Sequence, residues 1–249
     1  MPGPFSSLPA SLLHSLADMN PRDRLIVALD VSSAAEARQI VTAVGGSATM
    51  FKVGKQLFTA EGPQVVRELI GSGRKVFLDL KFHDIPNTVA GAVASASALG
   101  VSMLTVHACG GSKMLKAACE GASSGKTKPL ILAVTVLTSL SDTDLQEQGI
   151  TASVESQVLR LAGLALQSGC GGVVASAHEA ANLRRSLGTG FAIVTPGVRP
   201  AGAEVGDQAR VVTPKDAVHA GADYIVVGRP ITGAKDPATA AAAILAEIS

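Results

Sequence analysis

Eight short β-branched runs, spread along almost the whole chain, restrict this sequence to a few architectures. They are Leu25–Val31, Met50–Gly54, Lys75–Phe82, Met103–His107, Leu130–Leu137, Gly172–Ala175, Phe191–Thr195 and Tyr224–Gly228. Each gives way to a Gly, Ser or Asp break and then an Ala/Leu-rich stretch, which reads as strand, turn and helix in alternation. The runs are nearly continuously apolar, as strands of a parallel sheet covered on both faces must be. Helix-start chemistry fills the gaps. Ser33-x-x-Glu36 and Ser176-x-x-Glu179 have capping-box spacing, and Thr213-Pro214 and Asp236-Pro237 set a capping side chain before a proline at the first helical position. Gly45-Gly46, Gly71 and Gly121 are expected helix ends. Eight such units fit an α/β fold of the single (β/α)8 TIM-barrel type over residues 23–249. A doubly wound sheet with fewer strands is the alternative. The long polar connection from Ser139 to about Ser153 is expected to carry a short extra helix or a mobile loop. Residues 1–22 read as an irregular N-terminal extension, since residues 1–20 alone hold three of the twelve prolines.

Composition narrows the partners. With 21 basic against 20 acidic side chains the net charge is +1, which speaks against a nucleic-acid-wrapping or polybasic membrane-binding protein. Six Phe, one Tyr and no Trp are too few for base-stacking platforms. Neither nucleic acid nor membrane is therefore an expected partner. The first twenty residues have no basic n-region and only a short apolar stretch, unlike an export signal. Apolar runs such as Leu130–Leu137 are far too short to span a bilayer. Cys109, Cys119 and Cys170 are distant in sequence, with no C-x-x-C. They are expected to be free thiols in a reducing cytoplasm rather than a disulfide framework or zinc site.

In a barrel the chemistry gathers at the carboxyl ends of the strands. Asp30, Lys52, Asp79 and Lys81 fall near the ends of the first three runs, with Asp84 just beyond. Residues i and i+2 of a strand share a face, so Asp79 and Lys81 are expected to point together and Leu80 and Phe82 elsewhere. Charges at strand positions must be paired or exposed to ligand. A structural salt bridge is one reading; five charges alternating in sign favour a functional one. An ammonium between carboxylates keeps its proton, which suits Lys81 to stabilising and protonating a carbanion rather than to Schiff-base attack. The loops after the seventh and eighth runs form the second constellation: Pro196-Gly197-Val198-Arg199-Pro200, a polar segment through Asp207-Gln208-Ala209-Arg210, and Gly228-Arg229-Pro230. This is the recurrent phosphate position of such barrels, where glycine admits backbone N–H groups and arginine offers a bidentate fork. The histidines are assigned no chemistry, and no motif makes a strong metal site.

Leu78-Asp79-Leu80-Lys81-Phe82-His83-Asp84-Ile85-Pro86-Asn87-Thr88 resembles the signature of the orotidine 5′-phosphate decarboxylase family. Val27–Asp30, Phe51–Gly54, Thr105–Ala108, Val136–Ser139, Pro196–Pro200 and Val227–Pro230 extend the resemblance, in order, from about Arg24 onward. D-x-K-x-x-D is shared with sugar-phosphate decarboxylases and hexulose-phosphate synthases. Those relatives typically bind magnesium and carry an acidic residue where this chain has Lys52. Lys52, Asn87-Thr88 and the Arg199/Gln208 loop select the orotidylate branch. The resemblance implies a cofactor-independent carboxy-lyase converting orotidine 5′-phosphate to UMP, the last step of UMP synthesis. It implies a catalytic network of Lys52, Asp79, Lys81 and Asp84, the last from the other subunit of a homodimer. Asp30 and Lys52 would hold the ribose with Thr88 of the second subunit. Thr138 and Ser139 would contact the pyrimidine side, and Arg199, Gln208, Gly228 and Arg229 the phosphate. The rival readings are a magnesium-dependent sugar-phosphate decarboxylase or aldolase and a non-catalytic nucleotide-phosphate binder.

Overall fold

The computed structural model describes residues 19–123, 127–201 and 212–249. The eight runs form β1 (Leu25–Leu29), β2 (Met50–Gly54), β3 (Lys75–Phe82), β4 (Met103–His107), β5 (Leu130–Val134), β6 (Gly172–Val174), β7 (Ala192–Thr195) and β8 (Tyr224–Val227). They pair in sequence order, all parallel, and β8 closes on β1. The closed ring excludes the doubly wound alternative. The connection after β5 carries the short helix Asp142–Glu147, capped by a reciprocal Ser141/Asp144 box.

Strand parity divides the core in two. On β1, Leu25, Val27 and Leu29 pack outward beneath the helices, whereas Ile26 and Ala28 face the barrel axis. Met50, Phe77, Met103, Leu132, Ala192, Val194 and Val226 join the inner set, so the axis below the mouth is filled by side chains. Each large apolar side chain so buried contributes roughly 1.5–3 kcal/mol. The helices complete the outer layer through residues spaced by a turn, as with Ala37, Val41 and Val44 on the helix Ala34–Val44.

Several local expectations are corrected. Ser33 caps its helix by accepting the Glu36 N–H, but the Glu36 carboxylate accepts from Ser32 instead of closing a box. Ser176 likewise caps the helix Ala177–Leu187 through the N–H of His178, while Glu179 is buried. Gly121 ends nothing. It lies inside the helix Gly111–Ser123, where a Cβ would come 2.5 Å from the carbonyl oxygen of Ala90; glycine there lets this helix press against the neighbouring helix Pro86–Ala98. Gly45 does terminate its helix, at a φ of 59° that a side chain would resist. Cys119 and Cys170, though remote in sequence, bring their sulfurs to 3.8 Å as free thiols. No helix among the described residues is long and apolar enough to cross a membrane.

The end of the barrel opposite the strand C-termini is fastened by Arg184. Its guanidinium donates to the carbonyls of Phe191 and Gly221 and pairs with Asp223, which also accepts the Ile193 N–H. It stacks 4.9 Å from the Phe191 ring centroid. Burial pushes the Asp223 carboxyl above its usual range, with Arg184 opposing the shift. Arg184→Met should lower the unfolding free energy by about 3 kcal/mol, because it leaves a buried carboxylate without its partner. Urea titration measures the loss, and unaltered stability would remove the staple role.

Candidate active site

At the mouth, four charged side chains alternate in sign. Lys52 Nζ lies 2.7 Å from Asp30 Oδ1 and 3.7 Å from Asp79 Oδ2, and Lys81 Nζ lies 2.8 Å from Asp79 Oδ1. Lys52 sits mid-strand on β2 at the inward parity of Met50, and Asp79 follows Phe77 on the inward face of β3. Asp30 stands one residue beyond β1 and is exposed. Gly54 leaves space for them, since a Cβ there would approach Asp30 Oδ1 and Lys52 Nζ to 3.0 Å. Burial pushes the Asp79 carboxyl upward. The Lys81 and Lys52 ammoniums, with hydrogen bonds from Lys81 and Thr105, outweigh that and hold it below its usual range. Asp79 is therefore an anion at neutral pH.

Asp79 and Lys81 meet as expected, but not by regular strand alternation. The β3–β4 register shifts between Leu78 and Phe82, and Lys81 adopts φ 55°, the one positive value among described non-glycine residues. Such a conformation costs on the order of 1–3 kcal/mol and persists only where its surroundings over-determine it. Here the Lys81 N–H donates to Thr105 Oγ1 at 2.9 Å, and the same hydroxyl donates to Asp79 Oδ1 at 2.9 Å. The sequence reading gave Thr105 no role. Its signal was a polar residue two positions after inward-facing Met103.

The charged chain opens on a cavity of about 440 Å³, the scale of a small-molecule site. Phe77, Val134, Val174, Val194 and Val226 floor it, and Thr138 is on its wall. Arg199, Gly228 and Arg229 line it as well. Arg199 is buried; desolvation and then the neighbouring Arg229 charge push its guanidinium below the usual range. One cavity thus holds a lysine–carboxylate chain and an arginine pair able to receive a phosphate.

The remaining expected residues lie elsewhere. Asp84 and Thr88 are exposed and do not line the cavity; Asp84 Oδ1 accepts the N–H of Ile85 at 2.6 Å. Ser139 is exposed outside the lining, and Gln208 lies outside the described residues. The His83 and His107 rings face each other at a tilt of 51°, with centroids 5.7 Å apart. Burial, reinforced by His83, Lys55 and Lys81, pushes the His107 imidazole below its usual range. Among the described residues, no group of three or more His, Cys, Asp or Glu side chains could hold a metal ion.

Fold and site together define a (β/α)8 barrel whose mouth carries an alternating lysine–carboxylate chain beside two cavity-lining arginines. The chain belongs to the orotidine 5′-phosphate decarboxylase / HUMPS family, which it matches over residues 23–244. It is 52% identical to the orotidine 5′-phosphate decarboxylase of Idiomarina loihiensis, over 90% of this chain and 97% of that protein. It is 55% identical to that of Halorhodospira halophila, over 91% and 96% respectively. Among solved structures, the orotidine 5′-phosphate decarboxylase of Lactobacillus acidophilus superposes with a TM-score of 0.82 at 42% identity, covering 91% of this chain and 99% of the other.

Proposed function

We propose that this protein converts orotidine 5′-phosphate to UMP and CO2, the last step of pyrimidine nucleotide synthesis, as a cytoplasmic, cofactor-independent homodimer. The observation that carries this reading is the single cavity holding both the Asp30–Lys52–Asp79–Lys81 chain and the Arg199–Arg229 pair. The names of relatives more than half identical to this chain support the substrate.

The chemistry follows from what this substrate needs. Breaking the bond between C6 and the carboxylate carbon releases CO2 and leaves the electron pair at C6, in the ring plane. No adjacent carbonyl orbital can delocalise it, so electrostatic stabilisation must do the work. Lys81 supplies the cation beside C6 and then its proton. Asp79, held ionised, sits near the departing carboxylate and destabilises the charged substrate more than the transition state. Asp30 and Lys52 take the ribose hydroxyls, Thr138 and Ser139 the pyrimidine side, and Arg199, Gly228, Arg229 and Gln208 the phosphate. Asp84 and Thr88 reach the site of a second subunit. Ile85, 67% exposed between them, supports that assignment as an apolar side chain available for an interface.

The test is the fall in ultraviolet absorbance of orotidine 5′-phosphate on addition of purified, chelator-treated protein. No change overturns the proposal, and activity lost to EDTA and restored by magnesium would favour a metal-dependent relative's chemistry. Arg229→Ala should weaken use of the phosphorylated substrate by about 2–5 kcal/mol in kcat/KM. It should scarcely alter turnover of the phosphate-free nucleoside, which never used the contact. Equal losses on both substrates would make Arg229 structural and put the phosphate elsewhere.

A further inference from the structure

We propose that Thr105 is the positioning residue of the mouth, a single hydroxyl that sets both the Asp79 carboxylate and the Lys81 backbone; the inference rests on the decarboxylase reading above. Thr105 is fully buried on β4. A hydroxyl has one proton to donate and lone pairs to accept with, and here both are committed. The proton goes to Asp79 Oδ1, and a lone pair takes the Lys81 N–H, each at 2.9 Å.

The need for this hydroxyl arises from the strand itself. In an unbroken parallel ladder the Lys81 N–H would share the parity of Lys75, whose N–H donates to the Thr49 carbonyl beside β2, and would face β2 rather than β4. The register shift between Leu78 and Phe82 disrupts that ladder, and Thr105 supplies the acceptor from its side chain. The second bond closes a ring. Asp79 Oδ1 also accepts from Lys81 Nζ at 2.8 Å, so Thr105 Oγ1, the Lys81 backbone, the Lys81 ammonium and Asp79 Oδ1 constrain one another. With Oδ1 fixed, Oδ2 is turned toward Lys52 at 3.7 Å. Thr105 touches no reacting atom. It fixes the rotation of the carboxylate and the left-handed turn that aims the ammonium.

Thr105→Val keeps the shape and deletes the hydroxyl. Because displacing a reacting group by about an ångström costs up to roughly 100-fold, kcat on orotidine 5′-phosphate should fall about 10- to 100-fold. KM should stay within about threefold, since the phosphate and ribose contacts are intact. Thr105→Ser and Thr105→Ala complete the test: both lose the same methyl and differ by the hydroxyl, so packing cancels between them. Serine should retain most of kcat, and alanine should fall with valine. If valine misfolds, the Ser–Ala contrast decides alone.

Wild-type kcat in the valine or alanine variant overturns the proposal, as does serine falling as far as alanine, or a loss confined to KM. Serine active with valine and alanine both unfolded makes the hydroxyl a folding group and overturns the positioning role. Wild-type protein inert toward orotidine 5′-phosphate overturns the decarboxylase reading and this inference with it. An active wild type with an indifferent valine variant overturns this inference alone.

Discussion

Replacing Lys81 by alanine should abolish nearly all decarboxylation while leaving the barrel folded. The lysine is the only cation in direct contact with Asp79 Oδ1 among the described residues, and it opens on the cavity. In the proposed mechanism it supplies both the charge facing the C6 carbanion and the proton that quenches it. Loss of one preorganised electrostatic group commonly costs about 10²–10³ in kcat. The loss here should be at least that large, because a carbanion confined to the ring plane has no other sink. Alanine at this position inherits the same left-handed backbone, and Thr105 still accepts its N–H, so the fold should tolerate the change. Steady-state kinetics and a thermal melt check both halves. More than a tenth of wild-type kcat in a folded Lys81→Ala protein would reject the role.

The second large effect concerns sharing between subunits. Asp84 and Thr88 are exposed and stand outside the cavity of their own chain. If each serves the cavity of a second copy, a twofold dimer holds two composite sites. Lys81→Ala and Asp84→Ala homodimers should then both be nearly inactive, and mixing them should restore activity. In a mixed dimer one site carries both lesions, and the other receives intact Lys81 from one chain and intact Asp84 from its partner. Random exchange makes about half the dimers mixed with half their sites repaired, so activity should reach roughly a quarter of wild type. Mass spectrometry establishes that mixed dimers have formed. Activity that then stays at the level of the separate variants would place Asp84 at work within its own chain.

The architecture was legible because it depends on patterns the sequence displays directly. Eight apolar runs needing cover on both faces became eight parallel strands, and the observed ends differ from the expected ones by at most three residues, as at β5. The charged residues at the mouth were also legible, since a lysine or aspartate inside an otherwise apolar strand must answer to a partner or a ligand. The exact path of β3 was not. A two-residue alternation brings Asp79 and Lys81 to one side, but the register shift and the left-handed Lys81 depend on what β4 offers across the gap. That offer is a hydroxyl at position 105, invisible to any reading of β3 alone. Gly121 was misread for the same reason, because its value comes from Ala90 on another helix. Glu36 and Glu179 show that capping-box spacing fixes which residues are near a helix start, not which hydrogen bonds win.

The Arg184 staple fastens the rim where the strands begin, whereas Asp30, Asp79 and Lys81 occupy the rim where they end. Substitutions separated in this way, with no shared partner, combine nearly additively. The lower rim is therefore a reserve: tightening it can offset mutations at the mouth that gain new substrate contacts at the expense of robustness. A lineage of this barrel can change what it transforms without first having to change how it stands.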